Sequence, residues 1–433
     1  MNRAWAILVI WLAAGVIIAQ EPRPVDRALS ELLREARLMR GEALDGQARK
    51  IIVLGDAAIP GLCDALSSGS YRVSDASDER SPLTESQSQV LIRSVKGLPL
   101  GALPRYLGSL LDDEQSGPAQ RLSVLRLCAI AGNPDLFPVV VRVAKSFGRL
   151  ERKLPAPRAS VATALGAIFR RGVAVEDHLG DLDIHEDDFI LAAIVEALSG
   201  LRTRRSEASL LALLGRSPDL DHRILTTIAR GSSGTHLSER SRAALATNLK
   251  SPTTELRAMA ALAAGELRDF ALTPQVIALL DDESHRVRLN ALRSLRAISS
   301  LQLDQESQTW LDWYHGELNW LEDAWPGLIE TIYDADESEI IEITREVRSH
   351  PALRDSVSRE LCIMIPRVSE VIGSIICRVI GELGSREVVE DLIALLDNES
   401  ALVQVMASQA LVRITGRQAE ASAEAWKRAL DID

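Results

Sequence analysis

"VIALLDDESHRVRLNALRSLRAI", residues 276–298, decides the fold because it recurs. Residues 392–414, "LIALLDNESALVQVMASQALVRI", match it at 11 of 23 positions with an offset of 116. Gly265-Glu266-Leu267 and Gly381-Glu382-Leu383 keep that offset without a gap, as do Trp310 and Trp426. Apolar residues at i, i+3, i+4 and i+7 mark each copy as amphipathic helix rather than strand. The offset equals about three of the roughly 37- to 45-residue units of two-helix repeat arrays. An array of this kind buries its core by stacking each helix pair on its neighbours.

The same grammar extends outward. After residue 20 no convincing β alternation is found, and helical patterns are broken roughly every 12 to 18 residues by Gly, Pro, Asn, Asp or Ser. Ser81-Pro82, Asn133-Pro134, Ser217-Pro218, Ser251-Pro252 and Thr273-Pro274 each place an N-cap residue before proline. The side-chain oxygen satisfies an orphan N–H, and proline at the first helical position loses nothing. Residues 67–89 are polar and Ser-rich and read as an exposed loop. "LERKLPAPRAS" (150–160) reads as a stiff joint. The expected organisation is residues 1–19 as a signal peptide or uncleaved anchor, then helical repeats over 20–155. A repeat block over 156–325 closed by a Trp-rich helix, and a C-terminal block over 326–433, complete it.

These residues resemble the HEAT repeat, in particular the bacterial HEAT-like repeats first named for phycobilisome lyases. "GELRD…TPQVIALLDDESHRVRLNALRSL" is similar to that repeat's usual form: helix, turn, second helix ending in paired leucines, acidic loop and a new helix. "IIVLGDAAIPGLCDAL" (51–66) is a weaker copy. The resemblance implies an all-α HEAT-like solenoid of stacked antiparallel helix pairs. It implies a protein-binding scaffold without cofactor, and it informs fold far more than function.

Composition narrows the partners. The chain of 433 residues is 46% hydrophobic and 25% charged, with a formal net charge of −12. Nucleic-acid binders need a basic stripe, and the best run here, "GLRTRRSEAS" (200–209), is short, so protein partners are expected and nucleic acid is not. Arg3 followed by the uncharged stretch Ala4 to Ala19 has the layout of a secretory signal. Its 16 residues fall short of the roughly 20 needed to span a membrane, so membrane contact is expected only if this segment stays uncleaved. The chain therefore reads as exported, periplasmic or envelope-associated. Cys63, Cys128, Cys362 and Cys377 each lie in an apolar helical run and read as buried hydrophobes, with Cys362–Cys377 the most plausible pair if a disulfide forms.

Catalytic machinery is not recognised. In "EDHLGDLDIHEDD" (176–188), His178, Asp181, Asp183 and His185 are the candidate metal ligands. The alternative is an acidic loop running into a helix, with Asp187 and Asp188 opposing its positive end. Deoxyhypusine hydroxylases share the repeat fold and bind iron through several His-Glu dipeptides. Here only His185-Glu186 occurs, so that activity is not implied. "RGSSGTH" (230–236) lacks the G-x-S-x-G spacing of a nucleophile elbow. The remaining expectation concerns "TWLDWYHGELNWLEDAW" (309–325). At about 100° per residue, Trp310, Trp313, Tyr314, Trp320 and Trp325 share one helical face that ends before Pro326. That face reads as an interaction or packing surface closing a repeat block, as Trp426 does for the last one. Its functional alternative is a sugar or peptide platform. An enzyme using the 176–188 cluster is the other alternative function.

Overall fold

The computed structural model describes residues 24–72, 80–99, 101–112, 117–171, 187–232, 237–430 and 432. They divide into two compact units, Met1–Val173 and Ala174–Asp433. The first 19 residues and the His178–His185 cluster lie outside the described residues.

In the first unit the helices are α1 (Pro24–Ala36), α2 (Ala43–Val53), α3 (Ile59–Ser68), α4 (Glu85–Lys96), α5 (Ala102–Asp112), α6 (Pro118–Ala131), α7 (Phe137–Ser146) and α8 (Pro155–Phe169). One layer runs α2, α4, α6, α8, and a second runs α3, α5, α7. Buried glutamines tie the start of the stack together. Gln47 and Gln87 donate to the Leu32 and Leu33 carbonyls at the end of α1, both at 2.8 Å, which satisfies acceptors a helix end leaves open.

Two expectations change here. Residues 67–89 are not wholly loop: β1 (Ser70–Arg72) and β2 (Arg80–Pro82) form an antiparallel ribbon. Arg80 pins it to α3 through Asp64 (2.6 Å) and Ser68 (2.8 Å). Ser81-Pro82 therefore sits in a strand, and the following helix is capped by Thr84 and Gln87 in a reciprocal pair. The expected joint at 150–160 is no boundary either. Pro155 opens α8, which packs on α6 and α7, and the units divide after Val173.

The second unit contains α9 (Asp188–Ser199), α10 (Arg204–Ala212), α11 (Pro218–Ala229), α12 (Glu239–Leu249), α13 (Thr254–Leu267), α14 (Thr273–Ala278), α15 (His285–Ser299) and α16 (Ser307–Asn319). It continues with α17 (Trp325–Ile332), α18 (Glu337–Arg348), α19 (Arg354–Met364), α20 (Glu370–Leu383), α21 (Val389–Ala394), α22 (Ala401–Thr415) and α23 (Ala423–Leu430). The first layer is α9, α11, α13, α15, then α18, α20, α22. The protein is thus an all-α helical-repeat fold of stacked pairs.

The repeated glycines explain the layer's closeness. A Cβ on Gly265 would lie 2.7 Å from Ser294 Cα, and one on Gly381 would lie 2.9 Å from Ala410 Cα. These contacts are related by the same offset of 116. Glycine mid-helix costs propensity, and here it permits backbone-to-backbone packing of parallel neighbours. Of the five cap–proline pairs, Asn133 and Ser217 cap as expected. Thr273 lies inside α14, and Thr253 rather than Ser251 precedes α13.

Candidate functional site

The tryptophan stretch builds a junction in the core of the second unit. Trp310 is fully buried and its indole N–H donates to the Asp304 carbonyl at 2.7 Å. Trp313, half-buried, meets Trp310 and Phe270 edge-on, with ring centroids 5.6 and 6.2 Å apart. The helix does not stop at Pro326. Residues Trp320–Ala324 form a π turn in which the Trp325 N–H reaches back to the Trp320 carbonyl, and α17 then carries Pro326 in its first turn. Proline lacks an N–H, and the extra residue in the turn resets the ladder at its missing donor.

That shift turns Trp320 and Trp325 into the C-terminal block, where they join its buried cluster together with Trp426. Their rings stack at 5.7 Å, and their indole N–H groups donate to Glu346 (3.0 Å) and Glu360 (2.9 Å). His350 stacks on Trp320 at 3.9 Å, with Nδ1 3.2 Å from Glu317. Burial pushes the Glu317 carboxyl up, against the opposing pull of His350. A sugar platform needs exposed indole faces, and Trp310, Trp320, Trp325 and Trp426 are all buried. Sequence reading missed the pairing of Glu317 with His350, which lie 33 residues apart and meet only in the tertiary structure.

The thiols offer no chemistry. All four cysteines are free and buried. Burial pushes Cys63, Cys128 and Cys377 up to about 12 and Cys362 higher still, so nucleophilic thiolate is scarce at neutral pH. Among the described residues, no group of three or more His, Cys, Asp or Glu is placed to hold a metal. Asp187 accepts from the Phe189 and Ile190 N–H groups at 3.1 and 3.2 Å and so caps α9. Among the described residues no single helix is long and apolar enough to cross a membrane.

What remains open is one face of the first layer. Arg348 on α18 and Arg413 on α22 both bind Glu382 on α20, at 2.6 and 3.3 Å. Counting back along each helix, Ile341, Val371 and Leu402 lie within about 20° of those three residues. They are therefore on the same face, and each is 41–43% exposed. Val405 and its counterpart Leu289, 116 residues earlier, are also exposed. Arg378, seven residues after Val371, adds an exposed cation. The face thus carries an aliphatic row beside a band of three arginines and one glutamate, in a chain whose net charge is −12.

A smaller feature lies where first-layer helices turn into the second layer. A cavity of about 70 Å³ is lined there by Ser199, Arg202, Glu207, Thr227 and Arg230, among others. Arg202 is held at φ 51°, a left-handed conformation that disfavours non-glycine residues.

Residues 272–302 match the family model described as HEAT repeat. They span the end of the turn after α13, then α14, α15 and the turn beyond. The match is to the HEAT repeat as such and does not single out the phycobilisome-lyase subtype. No curated protein matches the sequence.

Proposed function

We propose that this HEAT-repeat protein is a non-catalytic scaffold that binds a partner protein along the open face of α18, α20 and α22. The observation that carries the reading is the exposed, same-face row of Ile341, Val371 and Leu402, with the Arg348–Glu382–Arg413 chain further along the same helices. Adjacent packed helices stand roughly 8–10 Å apart. A partner helix laid across them presents one face about every 10.5 Å, at i and i+7. The occupant is therefore an amphipathic helix with aliphatic residues at that spacing and carboxylates on the flank that meets Arg348, Arg378 and Arg413. Opposite charge along that flank fixes orientation and speeds encounter.

The test places a photo-crosslinking residue at Val371, at Leu402, or at the exposed Ile363 of α19 outside the first layer. One crosslinked species common to positions 371 and 402, absent at 363 and lost on adding Ile341→Glu, is expected. Labelling that is indistinguishable at 363, or absent at all three, overturns the reading. We also propose export to the cell envelope, resting on the charge and hydropathy layout of residues 1–19. N-terminal sequencing of the native protein should begin at or near Gln20, and intact Met1 in a soluble cytoplasmic fraction sinks it.

A further inference from the structure

The junction that buries the tryptophans also holds a histidine between two carboxylates. His350, in the turn after α18, has Nδ1 3.2 Å from Glu317 of α16 and Nε2 3.7 Å from Glu346 of α18. Trp320, in the π turn between those helices, covers the ring face at 3.9 Å with the planes 20° apart. The Glu346 oxygen that faces Nε2 also accepts from the Trp320 indole at 3.0 Å. Three elements therefore meet on one imidazole.

The groups that face the ring come from each of them. From α16 there is Glu317, with Trp313 close enough to favour its charge. From α18 there is Glu346, and from the π turn Trp320. From α19 the neighbour is indirect: Glu360 holds the indole of Trp325, which stacks on Trp320. Among the described residues no lysine or arginine pairs with Glu317 or Glu346. His350 is the group that can serve both with charge.

The proton count on the ring then decides the arrangement. An ionised carboxylate only accepts, and a neutral imidazole carries hydrogen on one nitrogen and a lone pair on the other. With one hydrogen, one of the two carboxylates faces a lone pair. With two, both nitrogens donate, and the charged ring lies on an indole face that favours a cation. Glu317 makes the difference large. It is 6% exposed, and its Oε2 has no well-aligned donor among the described residues. Burial pushes its carboxyl up, and His350 is the first group opposing that push. A buried carboxylate that loses its one cation must take a proton or give up its place.

We propose that His350 is a proton-operated clamp across the π turn, holding α16 to α18 while both ring nitrogens carry hydrogen and releasing Glu317 when one is lost. Histidine is the side chain that ordinarily changes charge between about pH 5 and 8. The clamp is closed on the acid side of that range and open on the alkaline side.

The test is hydrogen–deuterium exchange of the full chain, read by mass spectrometry at about pH 6 and about pH 8 and corrected for the intrinsic rate. Protection over residues 317–326 should fall by about tenfold or more at the higher pH, the loss of one charge-assisted hydrogen bond. The α22 segment Ala401–Thr415 should keep its protection, because local openings differ along a chain. His350→Phe retains the stack and removes the proton, so protection should stay at the wild type's alkaline level at both pH values. Glu346→Gln, at an exposed position, keeps the fold and should shrink the step. A step over 317–326 no larger than that over 401–415, or one left unchanged by either variant, overturns the proposal. Neither result bears on the crosslinking test of the α18–α20–α22 face.

Discussion

Residues 250–302 and 366–418 follow one backbone plan, yet they hold it with different chemistry. In the first copy Arg257, 9% exposed, forks onto Asp282 at 2.8 and 3.1 Å and also donates to the Ser251 and Pro252 carbonyls. The same positions in the second copy are Gly373 and Asn398. A Cβ on Gly373 would meet Ile365 and Val403 at 3.4 Å, so apolar packing occupies the place of the guanidinium. The turn itself survives: Asp282 Oδ1 accepts from the Ser284 N–H, and Asn398 Oδ1 from the Ser400 N–H, both at 2.9 Å. The local turn needs only a short acceptor side chain. The long-range pair is optional, which is why one copy could lose it.

This contrast can be broken most forcefully at Arg257. Arg257→Ala should destabilise the protein by about 1–3 kcal/mol, because it leaves Asp282 with only the Ser284 N–H and the nearby Arg288 charge. A double-mutant cycle with Asp282→Ala, followed by urea denaturation, should return a strong coupling. Additive effects would mean the fork contributes nothing beyond its parts.

A subtler version uses pH. Burial alone would raise the Asp282 carboxyl, but the Arg257 fork, the Ser284 N–H and Arg288 outweigh it and hold it below the usual carboxylate range. A depressed folded pKa contributes stability that is present above the unfolded value, about 3.9, and is lost as pH falls through the folded value. Asp282→Asn, the residue the second copy uses, should therefore flatten the loss of stability below about pH 4. An unchanged acid limb would show that Asp282 does not titrate there.

The glycines test what the copies share. Gly265→Ala and Gly381→Ala should each cost about 1–3 kcal/mol despite alanine's better helix propensity, since neighbouring backbone must move. Gly265, with the closer approach to Cα, should suffer more. Equal or stabilising effects in thermal melts would refute close packing as their reason.

Smallest of all are the left-handed caps. Arg268 and Ser300 stand where the second copy has Gly384 and Gly416. Ser300→Gly and Arg268→Gly should each stabilise by about 0.5–1 kcal/mol. If neither variant gains stability, the left-handed backbone at these two caps carries no strain.

Much of the fold was legible because its signals are local. The apolar period, the 116-residue offset and the Gly-Glu-Leu pairs mark the helices, and the glycines proved to be the points of closest approach. The ribbon at Ser70–Arg72 and Arg80–Pro82 was not legible, because strands of three residues carry too little alternation to read. The candidate sites were less visible still. The tryptophans and their packing role were legible, but the π turn that carries the helix through Pro326 is not anticipated by a uniform 3.6-residue count. Val371 and Leu402 each fall two residues after the caps Ser369 and Ser400, but Ile341 falls five after Asp336, so aligning the caps does not reveal the row.

By itself, the sequence determined the helical repeat and the 116-residue correspondence of its two copies, because periodicity acts over a few residues. Tertiary structure alone decided how Trp320 and Trp325 pair with Glu346 and Glu360, and which aliphatics stay uncovered. Those outcomes depend on how each helix pair is rotated against the next. Small rotations accumulate over many repeats until Arg386 reaches Ser232. A local pattern does not encode that sum.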